Sequence, residues 1–281
     1  MNWITEHKIP LGQWMEAIVD WLTSNATGFF DSIAFFLEWI ILNLVDIFQW
    51  FPPLVPIALT ASIAWLLHRS VPLVVFITAA LLLILNMGYW QEMLETFVLV
   101  LTATTLSIVV GVPVGILAAH NPWLNTLLRP VLDLMQTIPT FVYLIPTLVL
   151  FGLGVVPGLI STIIFAIAAP IRLTCLGITR VPGELIEAGK AFGATPMKLL
   201  YKVEIPAAMP NIMAGITQCI MLSLSMVVIA ALVGADGLGK PVIRALNTVD
   251  IAQGFEAGLA IVLVAIILDR ICKTPNLKEE I

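Results

Sequence analysis

Residues 181–206 read Val181-Pro-Gly-Glu-Leu-Ile-Glu-Ala-Gly-Lys-Ala-Phe-Gly-Ala-Thr-Pro-Met-Lys-Leu-Leu-Tyr-Lys-Val-Glu-Ile-Pro206, a charged island between two long uncharged stretches. Upstream, nothing from Leu134 to Ile171 carries a charge; downstream, nothing from Ile205 to Ala235 does. A membrane-spanning helix needs about 20 apolar residues at a rise of about 1.5 Å each, so the island hangs between spans. Its punctuation predicts two short helices. Pro182 starts the first, with Glu184 and Glu187 near its positive end and Lys190 near its negative end. Gly193 takes the left-handed conformation that stops it. Thr195 caps the second helix, Pro196 occupies its first turn, and Pro206 ends it before the next span. Leu185, Ile186, Ala188 and Phe192 give the loop an apolar surface that a mere connector has no need of, and a short protruding helix of this kind could fit a groove on a partner; the plainer alternative is a solvated loop with accidental helix signals.

Working outward, further uncharged stretches run over 47–68, 70–91 and 96–128, and a last span lies near 254–268. The stretch 134–171 is too long for one span and too short for two without a tight turn. Gly152-Leu-Gly154-Val-Val-Pro157-Gly158 supplies that turn, which predicts a helical hairpin with a short first arm. Seven spans follow, near 52–68, 71–88, 96–119, 140–153, 156–177, 211–233 and 253–271. The runs are continuous rather than alternating, which predicts helices and not a barrel. The fold class is thus an all-α polytopic membrane protein. Its divisions are an N-terminal amphipathic, in-plane helical region (1–51), two N-terminal spans (52–91), a core of spans (92–272) carrying the loop 181–206, and a tail (273–281).

Composition agrees. Of 281 residues, 60% are hydrophobic types and 11% charged, where soluble domains run nearer half and a quarter. A net charge of −5 argues against a nucleic-acid partner. Cys175, Cys219 and Cys272 are far apart and form no CxxC pair, so they signal neither zinc nor a disulfide framework. Met1 to Asp20 carries Glu6, Glu16 and Asp20 and no apolar core of a secretory signal, so the mature chain is expected to begin near Met1. In the N-terminal region Trp14, Ile18, Trp21 and Leu22 share a helical face opposite Gln13, Glu16, Asp20 and Ser24, as in a helix lying in the membrane interface. Phe29 to Phe48 carries Asp31, Glu38 and Asp46, whose cost inside lipid favours a second in-plane helix over an eighth span.

Basic residues set the orientation. With 181–206 in the cytoplasm, eleven of the thirteen Lys and Arg residues are cytoplasmic, among them Lys8, Arg69, Arg129, Arg172, Arg270 and Lys278. Lys240 and Arg244 lie outside with Glu92, Glu95, Asp236 and Asp250, and the C-terminus is cytoplasmic.

Glu187-Ala188-Gly189, Gly193 and Val203-Glu204-Ile205-Pro206 resemble the EAA loop of bacterial binding-protein-dependent ABC importers, with Gly189 in place of the second alanine. Asp133-Leu-Met-Gln-Thr-Ile-Pro139-Thr-Phe-Val-Tyr143-Leu-Ile-Pro146 and Gly234-Ala-Asp-Gly-Leu-Gly239 are similar to permeases of the glycine betaine/proline, or quaternary-amine uptake, branch. The resemblance implies a type I ABC importer transmembrane domain in the bacterial cytoplasmic membrane, for glycine betaine or related solutes such as proline, carnitine and choline. It also implies a second permease copy and an extracellular or lipid-anchored substrate-binding protein. Two ATP-binding subunits, carrying the ATP and Mg, would dock at Glu184, Glu187, Ala188, Gly189, Phe192, Gly193 and Pro206. This chain itself would hold no cofactor and no metal and would not be an enzyme. Alternatives are an ABC permease for another small solute, and a stand-alone channel or secondary transporter. The absence of mid-depth acidic or histidine relays weighs against a proton-coupled carrier.

Other motifs read as follows. Gly234-Ala-Asp-Gly-Leu-Gly239-Lys240-Pro241 nearly spells a P-loop, but Pro241 replaces the Ser or Thr that would hold magnesium and the segment follows a membrane helix. It reads as a tight outer turn near binding-protein docking, formed by Gly234, Gly237 and Gly239. Gln136, Pro139, Phe141, Tyr143 and Pro146 open the short span and are candidates to line the pathway, through freed carbonyls and aromatic rings able to meet a quaternary ammonium; an interfacial aromatic belt is the plainer reading. Gly111-Val-Pro113-Val-Gly115 reads as close helix packing or as a hinge. His7, His68 and His120 are scattered and interfacial.

Overall fold

The structure, a computed structural model, describes residues 10–273. The elements are α1 (Leu11–Gln49), α2 (Leu54–His68), α3 (Val71–Asn86), α4 (Trp90–His120), α5 (Pro122–Thr137), a 3-10 turn (Thr140–Tyr143) leading into α6 (Leu144–Phe151), and α7 (Val155–Ala166). Then come α8 (Ala168–Thr179), α9 (Gly183–Ala191), α10 (Pro196–Leu199), a π turn (Leu200–Glu204), α11 (Ile205–Ala230), α12 (Gly239–Thr248) and α13 (Ile251–Cys272). Among the described residues every regular element is helical. Lys8, Lys278 and His7, used or set aside in the charge reading, lie outside them.

Helices in lipid gain little from burying oily surface against one another, so they associate by close packing at small residues. That rule builds the centre of this molecule. Helix α8 lies between α4 and α11. A Cβ on Gly111 would stand 2.9 Å from Pro170 Cγ, and one on Gly115 would stand 2.7 Å from the Ile171 carbonyl oxygen. On the other side, a Cβ on Gly177 would meet Asn211 Cβ at 2.8 Å and one on Gly215 would meet Leu173 Cβ at 3.1 Å. The Gly111–Gly115 pair is therefore a packing seam. Pro113 is accommodated within one continuous helix.

Helices α2 and α3 form a hairpin closed by Arg69 at φ 48°. Ile57, Ala64, Ile77 and Ile84 pack against Leu99 of α4, Val227 of α11 and Val264 of α13. With 15 and 16 residues these two helices are shorter than the helices long enough to cross a membrane. Five helices have the length and apolarity to cross a membrane, and a sixth counts if the bent pair α5–α6 is one span. The predicted hairpin is present: α6 is a short arm, and Gly152 and Gly154, at φ 75° and 136°, turn the chain into α7. The axis between Pro122–Thr137 and Thr140–Phe151 bends by 106°.

One expectation is corrected. Pro206 does not end a helix. The run from Pro196 to Val233 is helical throughout, because the five-residue π turn just before it widens the backbone where the proline lacks an N–H donor. The N-terminal region, Leu11–Gln49, is two helices joined at a kink where Ala26 leaves helical geometry (φ −126°, ψ 18°). Its second arm does not stand apart from the bundle: Ile41 and Val45 are buried against Val98, Ala103 and Leu159, and Phe30 packs edge-on against Phe151 at 5.3 Å. Interior packing fixes that arm, and hydropathy alone does not reveal it.

Candidate coupling and pathway sites

The termini of the helices sort by charge. His68 Nε2 stands 3.2 Å from the Ile271 carbonyl oxygen, which sets the Arg69 turn beside the end of α13. His120 faces Glu204, and Arg172 pairs with Asp133. At the opposite end a cavity of about 240 Å³ is lined by Tyr89, Glu92, Glu95, Asp236, Lys240 and Arg244. Burial, and then the negative charges of Glu256, Glu92 and Asp250, raise the Tyr89 phenol above its ordinary value, so it remains an O–H donor in this acidic cavity. The basic and acidic ends inferred from sequence are the two physical ends of the bundle.

At the basic end α9 projects from the bundle. Glu184 sits in its first turn and Lys190 in its last, as the helix dipole favours. Gly193 has φ 73°. Its N–H donates to the Lys190 carbonyl at 2.9 Å and the Ala194 N–H donates to the Gly189 carbonyl at 3.1 Å. Those two bonds form a Schellman stop. Pro182 precedes the first helical residue, and Thr195 occupies the cap position of α10, but its hydroxyl makes no capping hydrogen bond. Gly189 faces inward: an added Cβ would lie 2.7 Å from Leu199 Cδ1, so glycine lets α9 close on the buried Leu199. Glu184, Glu187 and Ala188 are exposed, and so is Pro206. Phe192 is 93% exposed, an aromatic ring held out at the tip of the loop.

The pathway candidates divide. Tyr143 is half-buried; its hydroxyl donates to the Met135 carbonyl at 2.6 Å across the bend, and its carbonyl accepts from the Thr147 and Ser161 hydroxyls. Its carbonyl is therefore not free. Gln136 is half-buried at the end of α5, whereas Pro139, Phe141 and Pro146 are exposed. Phe141, Ile145, Val149 and Leu153 form an exposed stripe at helical spacing.

The outer turn is built into the core. Gly234 and Gly237 have φ 91° and 117°. Gly237 and Gly239 are buried, and a Cβ on Gly237 would stand 2.5 Å from Thr96 Oγ1. The buried Leu238 N–H donates to that same hydroxyl at 2.8 Å. Gly237 seats the turn on α4 and Gly239 seats it on the end of α11, leaving Asp236 and Lys240, which pair with each other, on its surface.

Sequence reasoning missed α12, an amphipathic helix at the acidic end, and the pairing of His120 with Glu204. The periodic apolar residues of α12 signal it; nothing local signals the pair.

Residues 111–271 match the family described as binding-protein-dependent transport system inner membrane component. The chain is 46% identical over 274 residues to the glycine betaine transport system permease protein OpuAB of Bacillus subtilis, covering 97% of this chain and 96% of that one. The chain belongs to this family. Other inner membrane components like it are the glycine betaine/carnitine transport permease protein GbuB of Listeria monocytogenes, 46% identical over 97% of both chains, and the glycine betaine/proline betaine permease protein ProW of Escherichia coli, 43% identical over 94% of this chain and 74% of that one. An inward-facing structure of the MetNI methionine ABC transporter aligns with a TM-score of 0.56 at 24% identity, over 62% of this chain and 88% of that one, which shows a shared fold. This inner membrane component is a multi-pass permease subunit of an ABC importer. It works with ATPase and substrate-binding partners and has no catalytic role of its own.

Proposed function

We propose that this permease forms, as a pair of copies, the pathway of an ATP-driven importer for glycine betaine or a related compatible solute such as proline, carnitine or choline. Two ATPase subunits, holding ATP and Mg, dock on the Glu184–Gly193 arm, and an extracellular or lipid-anchored protein delivers the solute at the acidic end. The C-terminus lies in the cytoplasm. The observation that carries the reading is the projecting α9 with Phe192 at its tip. A large aromatic side chain held in water by a Schellman stop is the kind of anchor that a partner's pocket takes up. ATP-driven closure of the motor subunits moves the arm, and α11, continuous with α10 against which the arm packs through Gly189 and Leu199, carries the motion into the bundle. Glycine betaine, proline and carnitine are zwitterions with no net charge, so a pathway of backbone dipoles and aromatic rings around Gln136, Pro139 and Phe141 suffices for them, with high-affinity recognition left to the binding protein. The exposed Asp236–Lys240 pair and the acidic cavity beside it offer that protein a polar face.

The test is Glu187→Lys and Gly193→Pro. Proline cannot take φ 73° and removes the N–H bonded to Lys190. Both variants are expected to insert normally and to lose transport and solute-stimulated ATPase activity. Wild-type rates in both refute the coupling role. Competition of uptake by betaine, proline, carnitine and choline identifies the cargo.

A further inference from the structure

Glu204 closes the π turn between the coupling arm and α11 and is 5% exposed; among the described residues it is the one charged side chain in the buried class. Its Oε2 lies 2.9 Å from His120 Nε2, an ion-pair contact, and accepts no aligned hydrogen bond from any described group. His120 is the last residue of α4, and its Nδ1 lies 2.9 Å from the Ile116 carbonyl oxygen one turn back. A carbonyl and a carboxylate both only accept, so the contact is an ion pair when both ring nitrogens carry protons. Ile116 and Ala119 of α4, Ile178 of α8, Leu200 of the π turn, and Ala208 and Ile212 of α11 form one apolar cluster from the elements that carry the pair, with Glu204 buried and His120 half exposed.

A carboxylate held at this depth is expensive to separate from its partner. When the arm moves, Glu204 therefore draws His120 with it. The next residue, Asn121, turns the corner into α5: its side-chain oxygen accepts from the Trp123 and Leu124 N–H groups at 3.1 and 3.3 Å. Helix α5 runs on to Asp133, paired with Arg172 of α8, and to the 106° bend before Tyr143.

We infer that the Glu204–His120 pair is a strut that carries movement of the cytoplasmic arm into α4 and, through the Asn121 corner, into α5 and the bend of the short span. The inference rests on the reading of 181–206 as the arm on which an ATPase acts. It makes His120 and Glu204 positioning residues for coupling, touching neither solute nor nucleotide, and it adds a second route beside the continuous α10–α11 backbone.

The experiment uses the full importer, permease with ATPase and binding-protein partners, in proteoliposomes loaded through glycine betaine uptake. Wild type, His120→Ala, Glu204→Ala, the double variant and Glu204→Gln are compared for solute moved per ATP hydrolysed and for co-purifying ATPase. Each alanine variant is expected to lower the transport-to-hydrolysis ratio about 3- to 30-fold, with ATPase recovered at the wild-type level. The double variant is expected to be no worse than the worse single one. Glu204→Gln, whose amide N–H donates to Nε2 of a neutral imidazole and so replaces the ion pair by a hydrogen bond, should stay within about twofold of wild type. A wild-type ratio in both alanine variants, or losses that multiply in the double variant, overturns the strut. So does a loss that appears only together with loss of co-purifying ATPase in every variant, Glu204→Gln included, which marks a merely structural role. Glu187→Lys runs alongside: if it too keeps ATPase and transport, the coupling-arm reading has failed; if it loses them while the strut variants are normal, only the strut has.

Discussion

Replacing Gly193 by alanine isolates a single cause. The residue has φ 73°, and no atom outside its neighbours lies within 4 Å of where a Cβ would stand. The methyl therefore meets nothing, and the penalty is conformational: holding a non-glycine L-residue in the left-handed region costs about 1–2 kcal/mol. If the arm docks only with the Schellman stop formed, that cost lowers the population of the competent shape, and the apparent affinity for the ATPase subunit falls by the same factor, about 5- to 30-fold. Asparagine, which tolerates the left-handed region better, should recover most of the loss. The measurement is titration of purified ATPase against permease in nanodiscs for wild type, Gly193→Ala and Gly193→Asn. Equal affinity in all three would mean that the stop does not shape the docking surface, and the reasoning from φ to coupling would fail.

Other expectations follow from packing. Gly115→Val should destabilise the permease in detergent by about 1–3 kcal/mol, because the new Cβ meets the Ile171 carbonyl oxygen at 2.7 Å and backbone cannot step aside. Gly258→Ala, with nothing within 4 Å, should be neutral in the same thermal unfolding assay. Thr96→Val leaves the buried Leu238 N–H without its acceptor and should cost about 1–3 kcal/mol, read as faster proteolysis of the outer turn. Asp133→Asn, at a largely exposed ion pair, should change stability by no more than about 1 kcal/mol.

The sequence alone determined the features that depend on the chain's immediate surroundings. Lipid demands long uncharged runs, so the helices near 71–88, 156–177 and 253–271 could be placed within a few residues. Gly152 and Gly154 announced the hairpin, and Gly193 announced the end of α9, because positive φ is a local requirement that glycine meets. Basic residues sort across a membrane by their own charge, so the two ends of the bundle were legible as well. Tertiary structure decided what each small or polar residue is for. Gly111 and Gly237 look alike in the chain, but one closes α4 on α8 and the other fits under Thr96. Pro206 has the signature of a helix end, and a π turn carries the helix through it. His120, at the end of α4, and Glu204, in the π turn, stand far apart in the chain, and only folding sets them 2.9 Å apart. The physical reason is that backbone preference and transfer into lipid act over a few neighbouring residues, whereas close packing and the pairing of a buried charge need partners that only the folded chain brings together.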